Sequence, residues 1–135
     1  MTHLLDTSAL LAHYLDEPGA QEVEALLASG PGGVALAAPT WVELQSRLRT
    51  FVPDAHERER VFDLYTRQLC AFLPIDRAAC SAAIRLRDAA PQRLPLVDAL
   101  IAGTAHAAGL VLVHRDPHLD SIPGLKTVRL PDKTG

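Results

Sequence analysis

Apolar residues along this chain fall into short continuous runs separated by longer segments of helical spacing. Thr2 to Leu5, Val34 to Ala37, Ala71 to Pro74, Leu110 to Val113 and Thr127 to Leu130 read as strands. Their apolar character is unbroken rather than alternating, which fits burial on both faces of a sheet. Between them, Leu11 and Leu15, then Val23, Leu26 and Leu27, then Trp41, Leu44 and Leu48 recur at helical intervals. A long amphipathic helix is expected over His56 to Cys70, another through Cys80, Ala83 and Ile84, and one over Leu96 to Ala108. The breaks are chemical. Pro18-Gly19, the loop Gly30-Pro31-Gly32-Gly33, Pro53 and Pro123-Gly124 interrupt the patterns, Asp76 suits an N-cap, and Pro39 and Pro95 suit helix starts. Alternation of strands with helices predicts one α/β domain over residues 1–135, a sandwich with a mainly parallel sheet.

Composition narrows the class. The 135 residues are 48% hydrophobic and 21% charged, values of a globular domain rather than a disordered, collagenous or coiled-coil chain. The net charge of −3 excludes attachment to nucleic acid by bulk positive charge, so any such role needs local patches. Cys70 and Cys80 are too few for a disulfide scaffold and read as small buried hydrophobes within helices. Asp6 interrupts the first apolar run, so no leader is read there, and Leu100 to Val113 is too short to span a bilayer. A cytoplasmic, reducing setting with no membrane partner is expected.

Ligands in open α/β sheets sit at the carboxyl ends of the strands. Asp6 follows the first strand directly, and Glu43 lies in the first turns of the helix after the second. Asp98 lies in the first turn of the helix opened by Pro95, Asp116 follows the strand ending at Val113, and Asp120 comes soon after. If those strands are neighbours, four or five carboxylates gather at one edge. Two carboxylates about 4 Å apart repel by about 4 kcal/mol at an effective dielectric of about 20. Several such pairs would consume much of a stability of about 5–15 kcal/mol. Helix N-termini at Glu43 and Asp98 offset roughly 0.3–1 kcal/mol each, and a divalent cation offsets far more. The all-oxygen set favours Mg²⁺ or Mn²⁺ over Zn²⁺ and points to phosphodiester hydrolysis. Each acid has an ordinary alternative. Asp6 could cap a helix, Glu43 could pair with Arg47, Asp98 could simply favour a helix start, and Asp116 could be a turn acid. Joint placement at strand ends is what favours a site.

Four motifs carry a resemblance: Leu4-Leu5-Asp6-Thr7-Ser8-Ala9-Leu10, Pro39-Thr40-Trp41-Val42-Glu43-Leu44, Leu96-Val97-Asp98-Ala99-Leu100-Ile101-Ala102, and His114-Arg115-Asp116-Pro117-His118-Leu119-Asp120. In this order and spacing, over nearly the whole chain, they resemble the PIN-domain family, and within it the VapC-type toxins of bacterial type II toxin–antitoxin pairs. The resemblance implies a five-stranded parallel sheet flanked by helices and an RNA endonuclease using Mg²⁺ or Mn²⁺. It implies Asp6, Asp98 and Asp116 as metal-site aspartates, with Glu43 completing a catalytic quartet. It also implies a homodimer and a VapB-type antitoxin that covers the active site and contacts operator DNA, which the toxin meets only through it. The family often has Thr or Ser where His114 stands, and Phe where Leu119 stands.

For an RNA substrate, Arg47, Arg49 and Arg115 are candidates to hold phosphates, Arg47 and Arg115 foremost, since a guanidinium forks onto two oxygens. The alternative for each is a solvated helix face or loop. His114 and His118 could touch phosphate or metal, or be ordinary loop histidines. Trp41 could stack on a base, but its place on an apolar stripe favours core or dimer packing. Two other functions compete. A receiver-like phosphoacceptor would want paired acids after the first strand, where Thr7-Ser8 stands, and a Lys at the end of its last strand. A haloacid-dehalogenase-type phosphatase would need an acid where Ser8 stands. A catalytically inactive PIN-like binding module is the remaining alternative, and the complete acidic quartet argues against it.

Overall fold

The computed structural model describes residues 1–133. Strand β1 (His3–Leu5) occupies the centre of a five-stranded sheet with β2 (Val34–Ala37), β3 (Ala71–Leu73), β4 (Val111–His114) and β5 (Thr127–Arg129), in the order β3-β2-β1-β4-β5. Every pairing is parallel; Leu4 is in register with Ala35 on one side and Leu112 on the other.

Strand geometry sends successive side chains to opposite faces, and each face has its own core. Leu5, Val34, Leu36 and Val113 join one cluster, and Leu4, Ala35, Ala37 and Leu112 join the other. Two-sided burial is why these strands lack polar alternation. The first cluster is roofed by α1 (Thr7–Tyr14), α2 (Ala20–Leu27), α3 (Ala38–Phe51) and α4 (Ala55–Asp63). The second lies under α5 (Arg77–Ala89) and α6 (Leu96–Ala107), with Leu119 from the short α7 (Pro117–Asp120). Helices α5 and α6 approach closely at Gly103, where a Cβ would stand 2.5 Å from the Ala79 carbonyl oxygen.

Three local features differ from the sequence reading. The helix expected to run to Cys70 changes its winding after Asp63 and continues as a π-helical segment, Leu64–Leu69. Thr66 Oγ1 donates to the Phe62 carbonyl at 2.6 Å, competing with the regular backbone ladder, and Tyr65 and Thr66 are buried in succession. Cys70 is buried as expected, but Cys80 is exposed, because α5 turns Ala79, Ala82, Ala83 and Leu86 inward instead. The residues after Asp116 form the short α7 rather than a simple turn.

The strand order decides where a site can lie. From β1 the chain moves outward through β2 and β3, then returns to β4 on the other flank of β1. The connections therefore diverge between β1 and β4, opening a crevice at the carboxyl ends of those strands. Asp6 and Asp116 are set on either side of that divergence by chain position alone.

Candidate active site

Asp6 leaves the end of β1 in extended conformation and caps α1. Its Oδ1 accepts from the Ala9 backbone N–H at 3.0 Å and from Ser8 Oγ at 2.6 Å. Both bonds load one oxygen; among the described residues Oδ2 carries none. The capping expected as an alternative is therefore real, and it leaves half of the carboxylate unused. Burial pushes the Asp6 carboxyl up, against the Ser8 and Ala9 bonds, and the charges of Asp98 and Glu43 add to the rise, to about 6.

Glu43 projects from α3, which begins directly after β2 with Pro39 in its first turn. It does not form the surface pair with Arg47. Thr7 Oγ1 donates to Glu43 Oε1 at 2.8 Å, tying α3 to the start of α1. Asp98 lies in the first turn of α6. Burial, then the charges of Glu43 and Asp116, raise its proton affinity. Asp6, Glu43 and Asp98 line one cleft of about 430 Å³ with Thr7, Ser46 and Arg47. Among the described residues, no Lys, Arg or His ion pair reaches any of the three.

Asp116 stands on a different wall. It caps α7 by accepting from the His118 backbone N–H at 2.9 Å, and lines a neighbouring cleft with Pro95, His118 and Ile122. Its charge still acts on Asp98. His114, 0% exposed, fixes this corner: its Nδ1 accepts from the Asp116 backbone N–H at 2.9 Å, so its proton sits on Nε2, which faces Asp120 Oδ1 at 2.9 Å. Burial lowers the proton affinity of the ring. With both nitrogens used, His114 is a support for the Asp116 backbone and not a ligand. Asp120 also accepts from Thr127 at 2.6 Å and faces Arg129 at 3.4 Å. Against burial, which raises it, these partners hold its carboxyl below the ordinary range.

The arginines separate as well. Arg47 lines the acidic cleft, with its guanidinium over the Phe51 ring, and is exposed. Arg49 is exposed. Arg115 is turned away from solvent, with a 10% exposed side chain bonded to Glu17 Oε1 at 2.9 Å and to the carbonyls of Pro18 and Pro131 at 2.7 and 3.0 Å. The structure thus makes Arg115 an internal clasp, unavailable to a substrate phosphate. Trp41 packs edge-on against Phe62 and Phe72 beside the first core cluster, the packing role expected of it. His118 is exposed beside Asp116.

Sequence patterns missed several polar contributors to the cleft, Ser46 among them. Thr7 and Ser8 read only as a helix start, yet they orient Glu43 and Asp6. Glu17 and Lys133 also line the cleft, and no spacing rule connects them to it.

Among the described residues, no three His, Cys, Asp or Glu side chains are gathered closely enough to enclose an ion. Mg²⁺ does not require that, because it binds through one or two carboxylates and keeps waters and substrate phosphate as its other ligands. Asp6 and Asp98 supply such a pair. The donors are hard oxygens, and burial first, then neighbouring carboxylates (Asp98 and Glu43 on Asp6, Glu43 and Asp116 on Asp98), raise the proton affinity of both. The residues present fit a hard divalent cation.

In overall structure the chain resembles VapBC from Salmonella typhimurium bound to DNA, with TM-score 0.78 and 19% identity over 96% of this chain and 98% of that one. It resembles Rickettsia felis VapBC2 bound to a promoter fragment, with TM-score 0.77 and 18% identity over 97% of this chain and all of that one. It also resembles Mycobacterium tuberculosis VapC20, a toxin that cleaves the sarcin–ricin loop, with TM-score 0.62 and 13% identity over 82% of this chain and 87% of that one. No curated protein matches it. The model of the PIN domain matches residues 3–125, spanning all four acidic motifs, and the chain belongs to the PIN-domain family.

Proposed function

We propose that this protein is a metal-dependent endoribonuclease and the VapC-type toxin of a type II toxin–antitoxin module. The observation that carries the reading is the cleft at the β1–β4 divergence. There Asp6, Glu43 and Asp98 arrive from three separate elements, and among the described residues none of them forms an ion pair. Asp6 and Asp98 would hold Mg²⁺ or Mn²⁺, with Asp116 completing the set from the β4 side. When bound, the ion supplies positive charge to the phosphoryl oxygens and lowers the pKa of a coordinated water.

The chain's own residues do the rest. Thr7 holds one oxygen of Glu43 and leaves the other to accept the proton of the attacking water. Ser8 and Ala9 fix the Asp6 carboxylate, so its second oxygen is presented without rotational freedom. Arg47 offers a guanidinium to a substrate phosphate at the cleft wall. In-line attack by water forms the new P–O bond and breaks the bond to the 3′ oxygen, which takes up a proton from solvent and leaves as a hydroxyl, with a 5′-phosphate on the other product.

An antitoxin partner is supported by apolar exposure around the acids. Val42, Leu96 and Val97 are 71%, 59% and 39% exposed, on the helical turns that carry Glu43 and Asp98, and apolar surface there suits a protein that covers the site. A homodimer and a cytoplasmic location complete the proposal. Among the described residues no helix is long and apolar enough to cross a membrane.

The test is cleavage of total RNA by the purified protein. Cleavage is expected with Mg²⁺ or Mn²⁺, lost with a chelator and restored by Mn²⁺. Activity that persists in excess chelator would refute the proposed chemistry.

A further inference from the structure

The motifs place carboxylates around the cleft, but an RNA strand brings more negative charge to it. The cleft is lined by four acids, Asp6, Glu17, Glu43 and Asp98, and by two cations, Arg47 and Lys133. Arg47 comes from α3. Lys133 lies three residues beyond Leu130, and its presence at the cleft has a traceable cause.

Leu130 is 2% exposed, its backbone N–H donates to the His114 carbonyl at 2.7 Å, and its side chain rests against Gly19. Gly19 has φ +98°, and a Cβ there would stand 3.1 Å from Leu130. The Arg115 clasp then takes the Pro131 carbonyl while holding Glu17 and the Pro18 carbonyl. The chain after β5 is thereby fastened to the α1–α2 turn, which also forms a wall of the cleft. Lys133 is delivered to the rim, with its Nζ 3.9 Å from Glu17 Oε2 and its side chain 52% exposed. Glu17 already has a countercharge in Arg115 at 2.9 Å, so Lys133 is not spent on neutralising it. At that distance and exposure the Lys133–Glu17 pair contributes little to stability. The ammonium keeps its donors for an anion.

We propose that Lys133, delivered by the Arg115 clasp, binds a phosphate of the RNA strand flanking the cleft, and that Arg115 is its positioning residue. This rests on the ribonuclease reading above. Lys133 and Arg47 then give the substrate backbone two anchoring cations beside a cluster of acids that would otherwise repel it.

The chain has two lysines, Lys126 and Lys133. Lys126 is exposed and does not line the cleft, so K126Q is a charge-matched control. Steady-state cleavage of an oligoribonucleotide with Mn²⁺ is compared for wild type, K133Q, K126Q, R115K and the R115K/K133Q double variant. Binding of the same oligonucleotide is followed by fluorescence anisotropy. K133Q is expected to raise KM about fivefold with a much smaller change in kcat, and to flatten the slope of log affinity against log salt by about 0.7, the loss of one single-strand phosphate contact. K126Q should keep the wild-type KM and slope. R115K cannot bridge Glu17 and two carbonyls as Arg does. It should raise KM similarly, with little further rise in the double variant.

A wild-type KM and salt slope in K133Q, or an equal effect from K126Q, overturns the role of Lys133. Additive effects in the double variant overturn that of Arg115. If the wild type binds the oligonucleotide without cleaving it, and K133Q weakens that binding, the nuclease reading falls and Lys133 stands. Neither binding nor cleavage sinks both.

Discussion

Two acidic corners lie at the same edge of the sheet and behave oppositely. Beyond β4, at the end of α7, Asp120 is bonded by Thr127 and by the buried His114 and faces Arg129, and its carboxyl is held below its usual range. At the end of β1, Asp6 shares a cleft with Glu43 and Asp98, and Asp6 and Asp98 are pushed the other way. Asp6, Asp98 and Asp120 are the same residue type; the neighbours differ. Asp120 settles its charge within the fold, whereas Asp6, Glu43 and Asp98, with no ion pair among the described residues, leave theirs unsettled. Unsettled charge on three elements is costly to stability and is retained where a ligand from outside repays it.

The contrast breaks most visibly in activity. Asp6→Asn and Asp98→Asn each keep the shape of the side chain and remove its charge, and each should lower RNA cleavage by about a thousandfold or more, as loss of a catalytic electrostatic group does. Gel-based cleavage with Mn²⁺ checks this. Retention of more than a tenth of wild-type activity would remove that residue from the site.

Stability without metal should move in the opposite direction. Burial holds the Asp6 carboxyl at about 6 in the folded protein, above its ordinary 3.8. Ionising it in the fold therefore costs stability. The cost is absent below about pH 4, grows between about pH 4 and 6, and reaches up to about 3 kcal/mol above that window. Asp6→Asn retains a capping side chain, so in a chelator its melting temperature should exceed the wild type's by several degrees at pH 7.5 and match it near pH 4. Thermal melts at the two pH values decide; a less stable variant at pH 7.5 would mean that the burial of charge is compensated.

Added cation should sharpen the same difference. Millimolar Mn²⁺ is expected to raise the melting temperature of the wild type, with a stabilisation of about 1.4 kcal/mol for each tenfold excess over the dissociation constant. The shift should be much smaller in Asp6→Asn. Equal shifts in the two proteins would place the ion elsewhere.

The smallest effect belongs to the other corner. Asp120→Ala removes a partner from buried His114 Nε2 and from Thr127, and should destabilise the protein by about 1–2 kcal/mol at pH 7.5, read by denaturant titration. Asp120 and Asp6 substitutions would then have opposite signs. A stabilising Asp120→Ala would erase the distinction between the corners.

The strands and most helices were legible because local chemistry settled them. β1, β2 and β4 are buried on both faces, so their runs read as unbroken apolar segments, and Asp76 caps its helix by a bond from the N–H three positions on. Asp6, Glu43, Asp98 and Asp116 could be placed at strand ends for the same reason. What escaped depends on specific side-chain contacts, near or far along the chain, that apolar periodicity does not register. Arg115 looked free for RNA, yet Glu17, Pro18 and Pro131 consume its donors. His114 looked like a loop residue, yet the Asp116 backbone and Asp120 close over it. Cys80 was misplaced because the small alanines of α5 admit more than one inward face. The π-helical stretch rests on a side-chain bond from Thr66, to which apolar periodicity is blind.

The tight crossing at Gly103 ties the chemistry to the packing of two helices. Asp98 rides five residues earlier on α6, about 7.5 Å along the axis, so the angle at which this helix lies on its neighbour aims the carboxylate. Swapping an interior helical glycine for alanine ordinarily gains about 1 kcal/mol and is an obvious move for anyone seeking a hardier enzyme. Here the added methyl would stand 2.5 Å from the Ala79 carbonyl oxygen, so the helices would have to part, the usual gain would become a loss, and Asp98 would move with α6. The missing side chain at Gly103 thus serves the packing of α5 on α6 and the placement of Asp98 together.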